Sequence, residues 1–284
     1  MLGRLSPRSL GSLRAGYDHA VTVNARVPAR VFGEVAEDFD RVRLAYPVAL
    51  VDDVLNYSRL ADSGRRALEV GAGTGKATRA FAARGVPVVA VEPDEAMAAV
   101  LARHIAHLRD VHIVQSAFEE YQPEEGFGLL YCADAWHWTQ PEVRWRLAAQ
   151  ALTAGGVLAL FWNNDRIDDP TLRQAMLDVL AEIAPTIVIN DAPLEPARLL
   201  TEWPGNELAE RPEFEDLVGR IYPSRRTVTG ADYVTHMSTR SQCRMLAEPI
   251  RERLFAALTE DFDDVVPLAI DTVLYLARRK PEPR

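Results

Sequence analysis

Short apolar runs and amphipathic stretches alternate along most of this chain. From residue 32 the pattern is helical: Val35, Phe39, Val42 and Tyr46 recur at spacings of three and four until Pro47 interrupts, and a second helix is expected over 48–59. The continuous apolar run 66–70 predicts a buried strand, and the alanine-rich stretch 75–84 predicts a helix that Gly85 ends. The runs 87–91, 111–114, 127–133 and 157–161 repeat the strand signal, with helical patterns over 95–108 and 141–152 between them. Asp94 is placed as the N-cap of the first of these helices and Pro141 as the first residue of the second. Two further strands fall within 215–229 and 273–277, separated by helices over 231–238 and 248–262. This order predicts an α/β fold: a doubly wound, seven-stranded, mostly parallel sheet with one antiparallel strand near its end. Pro185, Pro193, Pro196 and Pro204 break the pattern over 184–212, which reads as a partly irregular insertion.

Composition narrows the partners. Of 284 residues, 48% are apolar and 26% charged, which is ordinary for a globular chain able to bury a substantial core. A net charge of −9 disfavours nucleic acid and anionic membrane surfaces, since both would be repelled. No apolar run approaches the roughly 20 residues of a membrane span. Cys132 and Cys243 lie far apart and match no metal-ligand spacing, so no metal is expected and a reducing, cytoplasmic setting is the simplest expectation.

The most informative stretch is Glu69-Val70-Gly71-Ala72-Gly73-Thr74-Gly75, where a strand ends in a turn with almost no side chains before a helix. Glycines there let a ligand lie against the backbone, and the helix start offers unpaired N–H groups. Spacing decides between nucleotide loops. A phosphate-binding loop would need glycine at Val70 and Ser or Thr at Ala77; a nicotinamide or flavin loop would need its third glycine at Lys76. The pattern with the acid two residues before Gly71 resembles motif I of the class I S-adenosylmethionine-dependent methyltransferases. Glu92, next to Pro93, ends the following strand 21 residues after Gly71, near the ~20-residue offset at which an acid reaches a nucleotide ribose. A surface acid at a strand end is the other reading of Glu92.

The resemblance extends over most of the chain from Phe32 and implies roles for particular residues. Glu69, Gly71, Ala72, Gly73, Gly75, Glu92 and Pro93 would hold S-adenosylmethionine, whose product is S-adenosylhomocysteine. Ala133, at the end of the fourth strand, joins them. Ser116, Ala117 and Phe118 occupy the adenine position, where the family usually carries Asp-Ala; Ser116 departs from that pattern, and Phe118 either stacks on the base or is core. The run Phe39 to Pro47 resembles an N-terminal segment that closes over the methionine end. This implies cofactor contacts from Arg43 and Tyr46 and a substrate contact from Phe39, unless the rings are core and Arg43 is solvated. The His137-Trp138 pair resembles the loop over the transferable methyl: His137 is the candidate catalytic base or else a structural hydrogen-bonder, and Trp138 a pocket wall. Trp162 and Asn163 follow the fifth strand, and His236 lies in a block that resembles the cap helices of small-molecule methyltransferases.

The resulting expectation is a flexible tail over 1–31 and one methyltransferase domain over 32–284, with cap elements at 32–60, 184–212 and 230–262. It would move a methyl group to a small organic acceptor (carboxylate, enol, hydroxyl or thiol) without metal, with a homodimer as the candidate assembly. Two other classes share the strand-loop-acid plan: a nicotinamide-dependent oxidoreductase, and a non-catalytic adenosylmethionine-fold binding protein.

Overall fold

A computed structural model describes residues 31–189, 192–262 and 264–281. The arginine-rich stretch expected as a tail, up to residue 30, lies outside these residues. Seven strands make one sheet: β1 (Ala67–Val70), β2 (Val88–Val91), β3 (Val111–Val114), β4 (Phe127–Ala133), β5 (Leu152–Ile167), β6 (Phe214–Thr229) and β7 (Val265–Arg279). Their order is β3-β2-β1-β4-β5-β7-β6. β1 to β5 run parallel, and β7 is antiparallel to both of its neighbours. The α/β sheet expected from the alternation is therefore present, including its single antiparallel strand. Strand order reverses between β1 and β4, and the crevice at the carboxyl ends of such a switch is where open α/β sheets take ligands.

The helices among the described residues are α1 (Ala36–Val42), α2 (Val48–Ser58), α3 (Leu60–Ser63), α4 (Lys76–Ala82), α5 (Glu95–Ile105), α6 (Arg144–Ala151), α7 (Pro170–Ile183), α8 (Gly205–Ala209), α9 (Gly230–Ser238), α10 (Ser241–Arg244) and α11 (Glu248–Asp261). Both sheet faces are covered, so β1 and β2 are buried along their whole length. On one face Phe81 of α4 stacks on Tyr131 of β4, ring centres 4.2 Å apart, beside Leu50 and Val54 of α2 and Leu101 of α5. On the other, Trp136 and Trp145 lie 5.2 Å apart over Phe127 and Leu152. Asp94 caps α5 as expected, accepting from the Met97 N–H.

Three departures from the sequence reading shape the site. Helix α6 begins at Arg144 rather than at Pro141, because residues 140–144 form a turn in which the Arg144 N–H returns to Gln140 O at 3.0 Å. Helix α7 was not foreseen, although Asp169 caps it through Thr171 and Leu172 and Pro170 occupies its first turn. It packs Met176 and Leu180 against Leu254 and Leu258 of α11, a second core beyond the sheet's end. Finally, β5 and β7 reach 16 and 15 residues, far longer than the apolar runs that marked them, while β6 fills the expected 215–229. The far halves of β5 and β7 pair in register, Asn163 with Thr272 and Asp165 with Ile270, and carry polar side chains past the sheet's edge.

Phe81 is fully buried between Tyr131 and Phe161. Phe81→Ala is expected to lower unfolding free energy by about 3–5 kcal/mol in urea titrations; a loss below about 1 kcal/mol would show that this face is not the packing centre.

Candidate active site

The site begins with backbone geometry. Beyond β1, Gly71, Gly73 and Gly75 take φ angles of 69°, 57° and 86°, a left-handed region costly for other residues. The Gly71 and Ala72 N–H groups donate to Val91 O of β2, which ties the loop across the sheet. A Cβ on Gly71 would come within 2.5 Å of the Ala135 side chain, so the position has no room for alanine. The loop then feeds α4.

Above it lies a cavity of about 880 Å³, large enough for a nucleoside-sized ligand and a small partner. One end is lined by Glu69, Gly71, Ala72, Gly73, Glu92, Pro93, Ala117, Phe118 and Ala133. The other is lined by Phe39, Arg43, Tyr46, His137, Trp138, Trp162, Asn163 and His236. The fold thus gathers nearly all residues singled out in the sequence. Gly75 and Ser116 are outside the lining: Gly75 turns the backbone into α4, and the Ser116 hydroxyl donates to Ala117 O at 3.0 Å. Phe118 is almost wholly buried, 6.0 Å from Trp136, and shows the cavity only part of its ring.

Carboxylates dominate the chemistry of the first end. Glu92, 6% exposed, accepts the Gly73 N–H at 2.7 Å and the Asp94 N–H at 2.9 Å. Burial outweighs these two bonds and pushes its carboxyl up to about 7. Glu69 is 1% exposed; one oxygen accepts from Thr78 and Tyr131 hydroxyls at 2.5 and 2.9 Å, and Oε1 is buried with no hydrogen-bond partner. Burial pushes Glu69 up to about 8, despite those two donors.

The second end holds mixed charge. Arg43 donates to Thr239 Oγ1 and O at 2.9 and 3.0 Å, and its guanidinium lies 4.9 Å over the Phe39 ring. Burial pushes the His137 imidazole down to about 3, helped by Arg144 and Arg43, so the ring is neutral; its Nδ1 accepts from the Trp162 indole at 3.4 Å. His236 sits 3.2 Å from Asp165, which also binds Arg240 at 2.8 Å. Burial opposes the Asp165 charge, but Arg240 and His236 hold that carboxyl well below its usual range.

Asp134, Asp165 and Arg240 line the cavity and were not assigned from sequence. Asp134 carried a signal, an acid directly after an apolar strand. Asp165 and Arg240 carried none, because only the long β5 extension and the α9–α10 junction bring them together.

Residues 67–156, from β1 into β5, match the family model described as a methyltransferase domain. That stretch of the chain is similar to a methyltransferase domain. Curated relatives agree: an uncharacterized methyltransferase of Mycobacterium tuberculosis is 34% identical over 143 residues, covering 50% of this chain and 56% of the relative. The chain thus matches about half the length of that protein and of its Mycobacterium bovis counterpart. An uncharacterized methyltransferase-like protein of Schizosaccharomyces pombe is 25% identical over 265 residues, covering 90% of this chain and 98% of the relative. A solved structure from Anaeromyxobacter dehalogenans, assigned as a type II methyltransferase, superposes with a TM-score of 0.58 at 22% identity, covering 84% of this chain and 99% of that one, and shows the shared fold. The glycine loop, Glu69 and Glu92 all lie within the matched region.

Glu69 gives a pH signature. Its folded proton affinity is raised from an ordinary 4.5 to about 8, so the folded state holds that proton more tightly than the unfolded state. Stability conferred by this group is present below about pH 4.5 and is lost as pH rises through about 8. Chemical denaturation of the cofactor-free protein across this window should show falling stability, and Glu69→Gln should flatten the fall. An identical pH profile in the variant would remove Glu69 from that role.

Proposed function

We propose that this protein transfers the methyl group of S-adenosylmethionine to a small organic acceptor. One observation carries the reading: Glu92, buried at the end of β2, is fixed by the Gly73 N–H beside a glycine-rich loop. A carboxylate so placed accepts from both hydroxyls of a ribose, which supplies the donors that a buried anion needs. The Glu69 Oε1, unpartnered among the described residues, fits the same ligand, because the ammonium of the amino-acid end offsets the charge that burial otherwise suppresses. Ala117 and Phe118 then bound the adenine, while Arg43 and Tyr46 close over the methionine end. Phe39, Trp138, Trp162, Asn163 and His236 surround the acceptor.

S-adenosylmethionine brings a methyl group already activated on a sulfonium. The work left to the chain is alignment and exclusion of water, which supplies roughly 7–11 kcal/mol of a barrier in favourable cases. No metal is needed for this task. His137, neutral and bonded to Trp162, orients the acceptor within the aromatic wall. The segments around 32–60, 184–212 and 230–262 act as a cap, and their enclosure of the cavity favours a small molecule over nucleic acid. Cys132 and Cys243, both buried free thiols, suit a reducing cytoplasm.

Calorimetry is expected to show binding of S-adenosylmethionine and S-adenosylhomocysteine and none of NAD. Glu92→Ala should weaken both adenosyl ligands by more than about tenfold, the loss of a charge-assisted hydrogen-bond pair. Tight NAD binding without a response to the adenosyl ligands would overturn the reading; unchanged affinity in Glu92→Ala would remove Glu92 from the ribose.

A further inference from the structure

Asp134 lines the cavity directly after β4. Its N–H donates to Phe161 O at 2.9 Å, which carries the β4–β5 pairing one residue beyond β4. Its φ of 56° is left-handed, a conformation that Asp and Asn accept more readily than other side chains, and one that recurs at functional sites. The carboxylate lines the cavity, and its Oδ2 lies 3.4 Å from the Tyr46 hydroxyl, which donates to it. On one side, the next residue, Ala135, packs against Gly71 of the glycine loop. On the other side the cavity is walled by rings. Phe32 sits edge-on to Phe39 and Trp138 at 5.8 Å each, and Trp162 lies 5.5 Å from Trp203 and 6.0 Å from Tyr275. Such walls favour a planar ring by offset or edge contacts.

His137 does not suit proton removal. The Trp162 indole can only donate, so His137 Nδ1 is the accepting nitrogen and the hydrogen of the neutral ring is on Nε2. A ring pushed down to about 3 also has little appetite for a proton near neutrality.

We infer that Asp134 is the proton acceptor of the methyl transfer and that the acceptor is an aromatic hydroxyl compound held among these rings. This rests on the methyl-transfer reading above. The acceptor's O–H bond breaks and its proton passes to an Asp134 oxygen. The hydroxyl oxygen's electron pair forms the new O–CH₃ bond, while the S–CH₃ bond breaks and leaves its pair on sulfur.

Burial pushes Asp134 up to about 6, which keeps it ionised at neutrality yet able to take a proton. Arg43, from the connection between α1 and α2, pulls it down, and Asp165 of β5 pushes it up. Tyr46, ahead of α2, donates to it. Among the described residues, Cys132 of β4, Glu69 of β1 and Glu92 of β2 belong to the same cluster: burial keeps Cys132 a thiol, Glu69 titrates at about 8 and Glu92 at about 7. The Asp134 limb is therefore the acidic one.

The test compares the full chain with its Asp134→Asn variant, since Asn tolerates the left-handed backbone. The probes are phenol and para-nitrophenol, and calorimetry with S-adenosylmethionine checks that the variant is folded. Wild type should methylate phenol with a kcat that falls as pH drops through about 6. Asp134→Asn should lose that limb and roughly 10²–10³-fold in kcat on phenol. On para-nitrophenol, assayed where it is already ionised, it should lose less than about tenfold. A second readout needs no cofactor and no turnover: the pH at which bound para-nitrophenol becomes the yellow phenolate. That midpoint should lie above the free dye's in wild type, because a neighbouring carboxylate disfavours a second anion, and should drop by about one unit in Asp134→Asn. Equal losses on both phenols, or equal dye midpoints in the two proteins, would overturn Asp134 as the proton acceptor. Wild type that binds S-adenosylmethionine but methylates neither phenol would overturn the acceptor class alone. Failure to bind S-adenosylmethionine would instead bring down the methyl-transfer reading itself.

Discussion

Three carboxylates, those of Glu69, Glu92 and Asp134, share one cavity at the carboxyl ends of β1, β2 and β4, and the chain does not fully balance their charge. Burial raises all three, to about 8, 7 and 6. Each keeps some donors: Thr78 and Tyr131 for Glu69, the Gly73 and Asp94 amides for Glu92, the Tyr46 hydroxyl for Asp134. Among the described residues none has the ion pair that would make a buried charge comfortable, in contrast to Asp165 with Arg240. A fold that tolerates this arrangement is poised for a ligand that brings hydroxyl donors and positive charge.

The rest of the architecture serves that cavity. The sheet order opens the crevice beside β1, and the left-handed turns at Gly71, Gly73 and Gly75 shape its glycine loop. Trp136, Trp145, Phe81 and Tyr131 pack the two faces and fix the strand ends. The long β5–β7 ladder builds the second half of the cavity, and the Asp165, His236 and Arg240 cluster joins that ladder to α9. Aromatic rings, mixed charges and carboxylates thus line the same cavity.

The parts of the fold legible in the sequence were those encoded locally. Continuous apolar runs marked the buried parallel strands, Gly85 and Asp94 marked helix ends, and the spacing from Glu69 to Gly75 marked the loop. Glu92 was found because its offset from the loop is a property of one strand-helix-strand unit. The extensions of β5 and β7 were not legible: Trp162 and Asn163 read as following the fifth strand, and only long-range pairing with β7 makes them part of it. Helix α7 was missed although Asp169-Pro170 is a start signal, because its core partners on α11 lie some 80 positions later in the sequence. Asp134 was visible as a residue but not as a site, since its left-handed backbone and its neighbour Tyr46 are tertiary facts.

The central claim is that the glycine loop and Glu92 hold the adenosyl ligand. A crystal structure of the protein with S-adenosylhomocysteine tests it most directly. The account predicts ligand density along Gly71–Gly75, both ribose hydroxyls on the Glu92 carboxylate, and the amino-acid end beside Glu69 and Arg43. Ligand bound elsewhere, or bound in the cavity with no contact to Glu92, would contradict it.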